Sequence, residues 1–522
     1  MAPSAPGPGA SPTGPLPSIP RTDYRELLAL LLLLTAYAVL KRAFGIIICD
    51  DAYITLSHAR SWNMGLGPIM SAWNPVCATS TPLHTMVLAL EGMLTGSAAY
   101  PALAYWTNAA WDVIGLFFTW RIARGGLGLT GPWPLLAVAA HALSVNALAV
   151  SASGMETPMY VALALAGTWY ALFADHAMPQ LAAIAALAAL ARPEGAMLPA
   201  VLILMRRRRM AGFDRAARIA ALATGLGLLL FFAFNLYAYG RPLPHSIIAK
   251  RMEIHVGFTD GLWAWILNVF YKGPSFGGVT VVTLINSAII AAGLAGYLRG
   301  FKADGSHAPW PLLAWPFLYF VFFMATRSSY LLFTWYFLPV LPFLILFLIG
   351  GVERLLRDRL QASLQWALFF GFLAWVPAQT FRQKLPQKHV AAEAAREGRY
   401  KEAARVVDSV AQTWLPGKVP MVMIDEVGAI GYWSHARILD THGLLSPEAL
   451  PYLGPADGYW VRMAALQDKL DPDWIMAMRL TKDEGQWYPG EDGLYAGYAV
   501  ERILRTPGHG YNMELRRRLA PD

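Results

Sequence analysis

The sequence LLFTWYFLPVLPFLILFLIG at residues 331–350 has twenty residues and no charged side chain. An apolar segment of this length is sufficient for an α-helix to cross the hydrocarbon core of a membrane. Similar segments at residues 222–239 and 281–298 are too long and apolar to be buried helices of one soluble core. The 522-residue chain is 15% charged, whereas about a quarter of an ordinary soluble domain is charged. These features exclude a purely soluble protein and predict an α-helical polytopic membrane protein.

The net charge of +8 is concentrated beside the apolar segments. Acidic and basic residues nearly cancel after residue 380, so the excess lies in the membrane part. Positive clusters next to membrane spans are typical of cytoplasmic loops, and we therefore expect no nucleic-acid partner. Residues 1–20 are mostly Pro, Gly, Ser and Ala and are predicted to form a disordered cytoplasmic tail. The densest basic cluster consists of Arg206, Arg207, Arg208, Arg209, Arg215 and Arg218.

Counting spans from a cytoplasmic amino terminus, with the 206–218 loop also cytoplasmic, predicts about eleven transmembrane helices. Residues 82–94 are left out, because a short segment carrying His84 and Glu91 is typical of a helix along the outer membrane surface. The predicted membrane module covers residues 21–379, with outer loops at 49–101 and 240–275. Its spans lie near 26–48, 102–122, 133–152, 156–174, 179–192, 195–205, 217–239, 276–298, 310–326, 332–350 and 363–379.

An odd number of spans places the polar region 380–522 outside the cytoplasm. Val419–Ile424 and Ile438–Asp440 have the composition of buried strands, and a turn into a helix is predicted between them at residues 425–433. Further strand-like runs occur at residues 474–478 and 495–504. This pattern predicts a soluble, extracytoplasmic α/β domain.

Asp50 and Asp51 stand side by side at the outer end of the first predicted span. Membrane topology does not require two carboxylates at this position. The pair is suited to deprotonating an acceptor hydroxyl, to binding a divalent cation through oxygen ligands, or to capping a helix. The spacing alone leaves these three roles open.

Four further motifs map to the same outer face: SGMET at 153–157, ARPEG at 191–195, YGRPLPHSIIAKR at 239–251 and WYFLPVLPF at 335–343. Charged side chains at or near membrane depth are costly unless they are paired or line a wet cavity. They are therefore site candidates, and an intramembrane ion pair or a snorkelling base is the alternative for each. The charged candidates are Glu156, Arg192, Glu194, Lys250 and Arg251.

In this order, the motifs resemble those of GT-C membrane glycosyltransferases that use polyprenyl-phosphate sugars. The chain is most similar to the subfamily that includes the mycobacterial terminal arabinofuranosyltransferase. The chain differs from these relatives at residues 73–77 and at Trp335-Tyr336, so the identity of the sugar is not carried over. The matching elements are 50–54, 79–83, 154–157, 192–195, 249–250, 338–342, 428–432, Asp440 and 443–444.

The resemblance implies a glycosyltransferase, for example an arabinofuranosyl- or mannosyltransferase, in a bacterial cytoplasmic (inner) membrane. Its expected partners are the bilayer, a polyprenyl-phosphate sugar and an extracytoplasmic glycan, lipid or protein acceptor. Asp50 or Asp51 would be the base, and Glu156 a second catalytic carboxylate. No cofactor is required, and a divalent cation at Asp50 and Asp51 is left open. Phosphate-binding candidates are Lys250, Arg251 and Arg192, and pocket candidates are His58, His84, Glu194, His245 and Tyr336.

The alternative function is transport of a lipid-linked sugar, as by a flippase. Secondary transporters usually consist of repeated halves, and no internal repeat is found in this sequence. The polar candidates collect instead at one face beside a sizeable domain, which favours an enzyme. The two cysteines, Cys49 and Cys77, fall in one outer loop, where either a disulfide or two unpaired thiols are compatible with the sequence.

Overall fold

The computed structural model describes residues 24–173, 178–198, 213–252, 259–260, 262–263, 288, 290–298, 310–326, 334–415, 417–452, 459–480, 494–505 and 511–519. Several predictions fall outside these residues: the tail at 1–20, the arginines at 206–209, and parts of the spans at 195–205 and 276–298.

The described residues between Tyr24 and Arg382 are mostly helical. Proline occupies the first turn of several helices, including Pro82, Pro158 and Pro342, where its missing N–H group costs nothing. The helices are α1 (Tyr24–Phe44), α2 (Asp50–Asn63), α3 (Pro82–Thr95), α4 (Tyr100–Arg121), α5 (Trp133–Ala142), α6 (Val145–Ala152), α7 (Thr157–Leu172), α8 (Met178–Ala191), α9 (Phe213–Tyr239), α10 (His245–Met252), α11 (Ala314–Thr326), α12 (Thr334–Phe337), α13 (Leu341–Leu356) and α14 (Ala362–Arg382).

One predicted span is broken in the structure. The segment 133–152 forms α5 and α6, which are bent by 48° relative to each other. The break occurs at Ser144, whose hydroxyl accepts the N–H of Ala147 at 3.4 Å and so caps the second helix. Helix α3 likewise turns by 114° into the helix that follows it.

By length and composition, one helix within the described ranges, Tyr24–Phe44, is long and apolar enough on its own to cross a membrane. The number is three if each bent pair, α3 with α4 and α5 with α6, counts as one span. The eleven spans and their orientation therefore stay a prediction.

A buried polar cluster joins three helices of the predicted membrane module. Asp112 of α4 accepts a hydrogen bond from Tyr37 of α1 at 2.6 Å and lies 3.4 Å from the ammonium group of Lys41. The hydroxyl of Ser151 in α6 also donates to Asp112. Charges inside an apolar helix bundle are tolerated when they are paired in this way.

The carboxyl-terminal region forms a small α/β domain. Its helices are α15 (Leu385–Trp414), α16 (Gly428–Trp433) and α17 (Tyr459–Leu470). Its strands are β1 (Met421–Ile424), β2 (Arg437–Asp440), β3 (Trp474–Leu480), β4 (Tyr498–Leu504) and β5 (Tyr511–Arg518). They form one sheet of order β2-β1-β3-β5-β4, in which β1 is parallel to β2 and β3. Strand β5, antiparallel to β3 and β4, was not predicted from the sequence.

The domain packs directly onto the helices of the predicted membrane module. One hydrophobic cluster contains Tyr53 of α2 together with Ile430 of α16 and Trp474 of β3. The ring centroids of Tyr53 and Tyr432 are 5.0 Å apart. The two parts of the chain therefore share a continuous core.

Candidate active site

A cavity of about 660 Å³ lies where the outer-face motifs converge, a size suited to a small ligand or a sugar group. Helix α2, the loop before α7, the turn after α8, helix α10 and helix α12 each contribute polar side chains. Separate motifs, distant in sequence, are thus brought to one place. The charged and phenolic side chains that line the cavity are Asp51, Glu156, Arg192, Glu194, Lys250 and Tyr336.

The two adjacent aspartates occupy different environments. Successive residues of an α-helix point about 100° apart, and α2 begins at Asp50. Asp51 lines the cavity, whereas the two oxygens of Asp50 accept the N–H groups of Gly428 and Ala429 at 2.9 and 2.8 Å. Burial and the nearby carboxylate of Glu426 raise the pKa of Asp50 to about 7, and the two N–H groups oppose this rise. Asp50 therefore caps a helix of the carboxyl-terminal domain.

Glycine at position 428 is required by the close approach of α2 and α16. A Cβ atom at this position would lie 1.8 Å from the carbonyl oxygen of Asp50, which no side chain tolerates without a shift of the backbone. Gly195 has a similar constraint, since its Cβ would lie 1.9 Å from the carbonyl oxygen of Ala188.

Arg192 is the centre of a buried ionic cluster at one wall of the cavity. Its guanidinium group lies 2.6 Å from Glu194 and 3.2 Å from Glu156, and all three residues are at most 5% exposed. Tyr319 donates a further hydrogen bond to Glu194 at 3.1 Å. The planar guanidinium is suited to pairing with two carboxylates, whose two negative charges exceed its single positive charge. Arg192 therefore both forms buried ion pairs and lines the cavity, the two alternatives that the sequence left open for it.

Lys250 lies on α10 and faces the same cavity. Its ammonium group donates to the hydroxyl of Tyr336 at 3.4 Å. Burial disfavours the charged form, but Tyr336, Asp51 and Glu156 hold the pKa of Lys250 above its ordinary value. Lys250 is therefore a cation at neutral pH. The neighbouring Arg251 belongs to the same helix, but its side chain lies outside the described part of the chain.

Three histidines predicted to line the pocket are not among the residues that line the cavity. His58 is buried with both ring nitrogens engaged: Nδ1 lies 2.7 Å from the carbonyl of Ile54, and Nε2 accepts the N–H of Ala78 at 3.0 Å. Burial lowers the pKa of His58 to about 4. The ring of His84 is buried 3.3 Å from the carbonyl oxygen of Gly154, and His245 is also buried. The rings of His58 and His84 thus contact backbone groups next to the site.

A cluster of threonine hydroxyls forms another part of the wall and was not predicted from the sequence. Thr55 lies 3.3 Å from Thr81, which lies 3.2 Å from Thr79, between their hydroxyl oxygens. Thr55, Thr79 and Thr81 all line the cavity. The sequence does contain one indication of this cluster, the spacing between Asp51 and Thr55. Thr55 follows Asp51 by four residues on α2 and therefore lies on the same face of the helix.

No group of three or more His, Cys, Asp or Glu side chains suited to holding a metal ion occurs within the described ranges. Each oxygen of Asp50 accepts a backbone N–H group, whereas Asp51 lines the cavity, and cation binding by the two aspartates stays a prediction. Cys49 and Cys77 are both free thiols.

Comparisons with known proteins concern the fold and one domain. Residues 388–515, about a quarter of the chain, match a family described as a domain of unknown function, DUF8728. No curated protein sequence matches the chain.

Solved structures that are similar over nearly the full length include two of ArnT. ArnT from Cupriavidus metallidurans in the apo state is 14% identical, with a TM-score of 0.59 over 96% of this chain and 100% of that chain. ArnT from the same organism bound to undecaprenyl phosphate is 13% identical, with a TM-score of 0.53 over 95% and 99%. At these identities the likeness concerns the fold, and the arabinofuranosyltransferase subfamily stays a prediction. The chain has the GT-C fold.

Proposed function

We propose that the protein is a membrane glycosyltransferase that moves a sugar from a polyprenyl-phosphate donor to a hydroxyl group outside a bacterial cytoplasmic membrane. The observation that carries this proposal is the meeting of a carboxylate, Asp51, and a cation, Lys250, in one cavity of about 660 Å³. Undecaprenyl phosphate is bound by ArnT, whose fold this chain shares, which supports a lipid phosphate in the donor. The acceptor in this proposal is a glycan, lipid or protein of the cell envelope.

Sugar transfer needs a base for the acceptor and a cation for the departing phosphate. In the proposed step, Asp51 accepts the hydroxyl proton while the acceptor oxygen forms a bond to the anomeric carbon. The bond between that carbon and the phosphate oxygen breaks, and polyprenyl phosphate leaves with the bonding electrons. Lys250 stabilises the charge on this phosphate. A lipid phosphate is a good leaving group, so no strong general acid is required.

The contacts of Glu156 and Arg192 favour a single displacement. A mechanism with retention requires a second carboxylate to attack the sugar, as in retaining glycosidases. Glu156 is buried and paired with Arg192 at 3.2 Å, and this ion pair lowers the nucleophilicity of its carboxylate. Arg192 is shared between two carboxylates, so Lys250 is the principal phosphate ligand in this proposal. We therefore expect inversion at the anomeric carbon.

An apolar wall of the same cavity supports a lipid-linked donor. Phe322, Phe323 and Ala325 of α11 line this wall, and the sequence of α11 contains no charged residue. Apolar side chains beside a cation suit a phosphate whose other substituent is a hydrocarbon chain. In this arrangement the phosphate and the sugar lie among the polar side chains.

The proposal is tested with the purified protein in proteoliposomes that contain one polyprenyl-phosphate sugar at a time, arabinofuranose and mannose among them, with cell-envelope extract as acceptor. Release of polyprenyl phosphate by the wild type, and its loss in Asp51→Asn, is the expected result. Asp468→Asn is the matched control, because Asp468 is an exposed aspartate of α17. Movement of the intact donor across the bilayer without release would instead establish the transporter alternative.

A further inference from the structure

Three side chains of the membrane module bind the backbone of one segment of the carboxyl-terminal domain, residues 428–438. Asp50 accepts two N–H groups at the start of α16, as described above. Arg60 donates to the carbonyl oxygen of Tyr432 at 2.9 Å, and its guanidinium lies 4.0 Å from the centroid of the Tyr432 ring. Both residues belong to α2, so this helix is fixed to the domain at its two ends.

The third contact uses the amide of Asn74, in the loop between α2 and α3. Asn74 donates to the carbonyl oxygen of Ile438 at 2.8 Å and accepts the N–H of the same residue at 2.8 Å. Ile438 lies in β2, one of the two edge strands of the described sheet, so the side-chain amide supplies the pairing that another strand would supply. Asn74 is 4% exposed, which makes this pairing a buried and specific one.

The same domain also contacts the helix that carries Lys250. Ala249 of α10 is fully buried in a small apolar cluster with Leu450, and Ile248 and Leu444 pack against them. Leu444 reaches the cavity wall itself. The loop that contains Leu444 is stabilised by Asp440, whose carboxylate accepts the N–H groups of His442 and Leu445 at 2.8 and 2.9 Å.

We propose that the carboxyl-terminal domain is a clamp that sets the separation between Asp51 and Lys250, and that Asp50 and Asn74 are its positioning residues. This inference rests on the proposed function. The carbonyl oxygen of Asp50 meets Gly428 so closely that a shift of α16 must move residue 50, and with it residue 51. A displacement of one ångström at a reacting group is enough to cost about a hundredfold in rate.

The clamp contacts α2 on one side and α10 on the other. Variants on the two sides are expected to have different kinetic effects. Asp50→Asn, Asn74→Ala and Gly428→Ala loosen the α2 side and should lower kcat about tenfold to a hundredfold with little change in the donor KM. Leu450→Ala loosens the α10 side, where Lys250 is held, and should raise the donor KM by about tenfold. Leu450 does not line the cavity, so this effect would not come from direct contact with the donor.

The experiment combines these kinetics with hydrogen exchange of the full-length protein in nanodiscs. Faster exchange of peptides covering residues 421–440 in Asp50→Asn and Asn74→Ala, together with the split between kcat and KM, supports the clamp. Wild-type kcat in Asp50→Asn and Gly428→Ala overturns it. Complete loss of activity in Asp50→Asn with unchanged exchange also overturns it, because Asp50 would then act directly on the substrate. Full turnover in Asp51→Asn would contradict the proposed function instead.

Discussion

Asp50 and Asp51 are consecutive residues whose carboxylates face different parts of the molecule. Asp50 accepts two backbone N–H groups from residues 428 and 429, whereas Asp51 lines the cavity that holds Lys250. In the proposed mechanism the pair therefore divides two tasks that the sequence left open, helix capping by Asp50 and general-base catalysis by Asp51. Replacement of one aspartate should not reproduce the effect of replacing the other.

Lys250→Ala should weaken the binding of polyprenyl phosphate. A hydrogen bond to a charged group contributes about 1.5–3 kcal/mol, so the dissociation constant should rise by roughly one to two orders of magnitude. The measurement is a titration of the detergent-solubilised protein with undecaprenyl phosphate. Lys418→Ala, at an exposed lysine of the carboxyl-terminal domain, is the control. Equal affinity in Lys250→Ala and the wild type would remove Lys250 from the phosphate site.

Arg192→Met should destabilise the fold strongly, because it leaves the buried carboxylates of Glu156 and Glu194 without their partner. Removing one member of a buried ionic cluster typically costs about 3–5 kcal/mol. Thermal unfolding in detergent measures the loss. Arg437→Met breaks the partly exposed pair with Glu448 and should change the stability by about 1 kcal/mol or less. Equal melting temperatures for the two variants would contradict the description of the cluster.

Gly195→Ala should also be destabilising, since the new methyl group would meet the carbonyl oxygen of Ala188 and displace the turn that carries Glu194. Gly398→Ala is the matched control. Gly398 is an exposed residue within α15 with open space around it, so alanine should raise stability by about 0.5–1 kcal/mol. Opposite shifts of the melting temperature are expected, and a stabilised Gly195→Ala protein would be the contrary result.

Asp50 should make stability depend on pH. Burial and the charge of Glu426 raise its pKa to about 7 from 3.8, with Arg396 and Asp51 also nearby. The folded protein therefore binds a proton in this interval that the unfolded chain does not. The contribution of Asp50 to the free energy of unfolding is fully present at pH values below the pKa of Asp50 in the unfolded chain. It is lost as the pH rises through the pKa of Asp50 in the folded protein. One group contributes at most about 1.4 kcal/mol per pH unit.

Asp50→Asn should flatten this dependence. The measurement is the melting temperature of wild type and variant at intervals between pH 5 and pH 8. Asp468→Asn again serves as the control and should keep the wild-type slope. Identical slopes for wild type and Asp50→Asn would show that another group is responsible.

The sequence was informative where local chemistry decides structure. The strand-like runs at 419–424 and 438–440 indicated strands close to those observed, β1 at Met421–Ile424 and β2 at Arg437–Asp440. Membrane topology also indicated that Glu156, Arg192 and Lys250 belong on one face, and they line one cavity.

Other features depend on contacts between distant residues, which no local pattern contains. The partner of Asp50 is 378 residues away, so capping and catalysis were indistinguishable in the sequence. His58 looked available for a ligand, but backbone groups of its own helix and loop engage its ring. The break at Ser144 was missed because the apolar composition on either side resembles one continuous helix.

The most direct test of the account is a single-turnover measurement with a polyprenyl-phosphate sugar that the wild type cleaves. Wild type, Asp51→Asn and Asp468→Asn are mixed with donor and acceptor in nanodiscs, and polyprenyl phosphate is followed over time. The account predicts cleavage by wild type and Asp468→Asn, and a rate at least about a hundredfold lower in Asp51→Asn. A wild-type rate in Asp51→Asn would contradict the assignment of Asp51 as the base and, with it, the proposed mechanism.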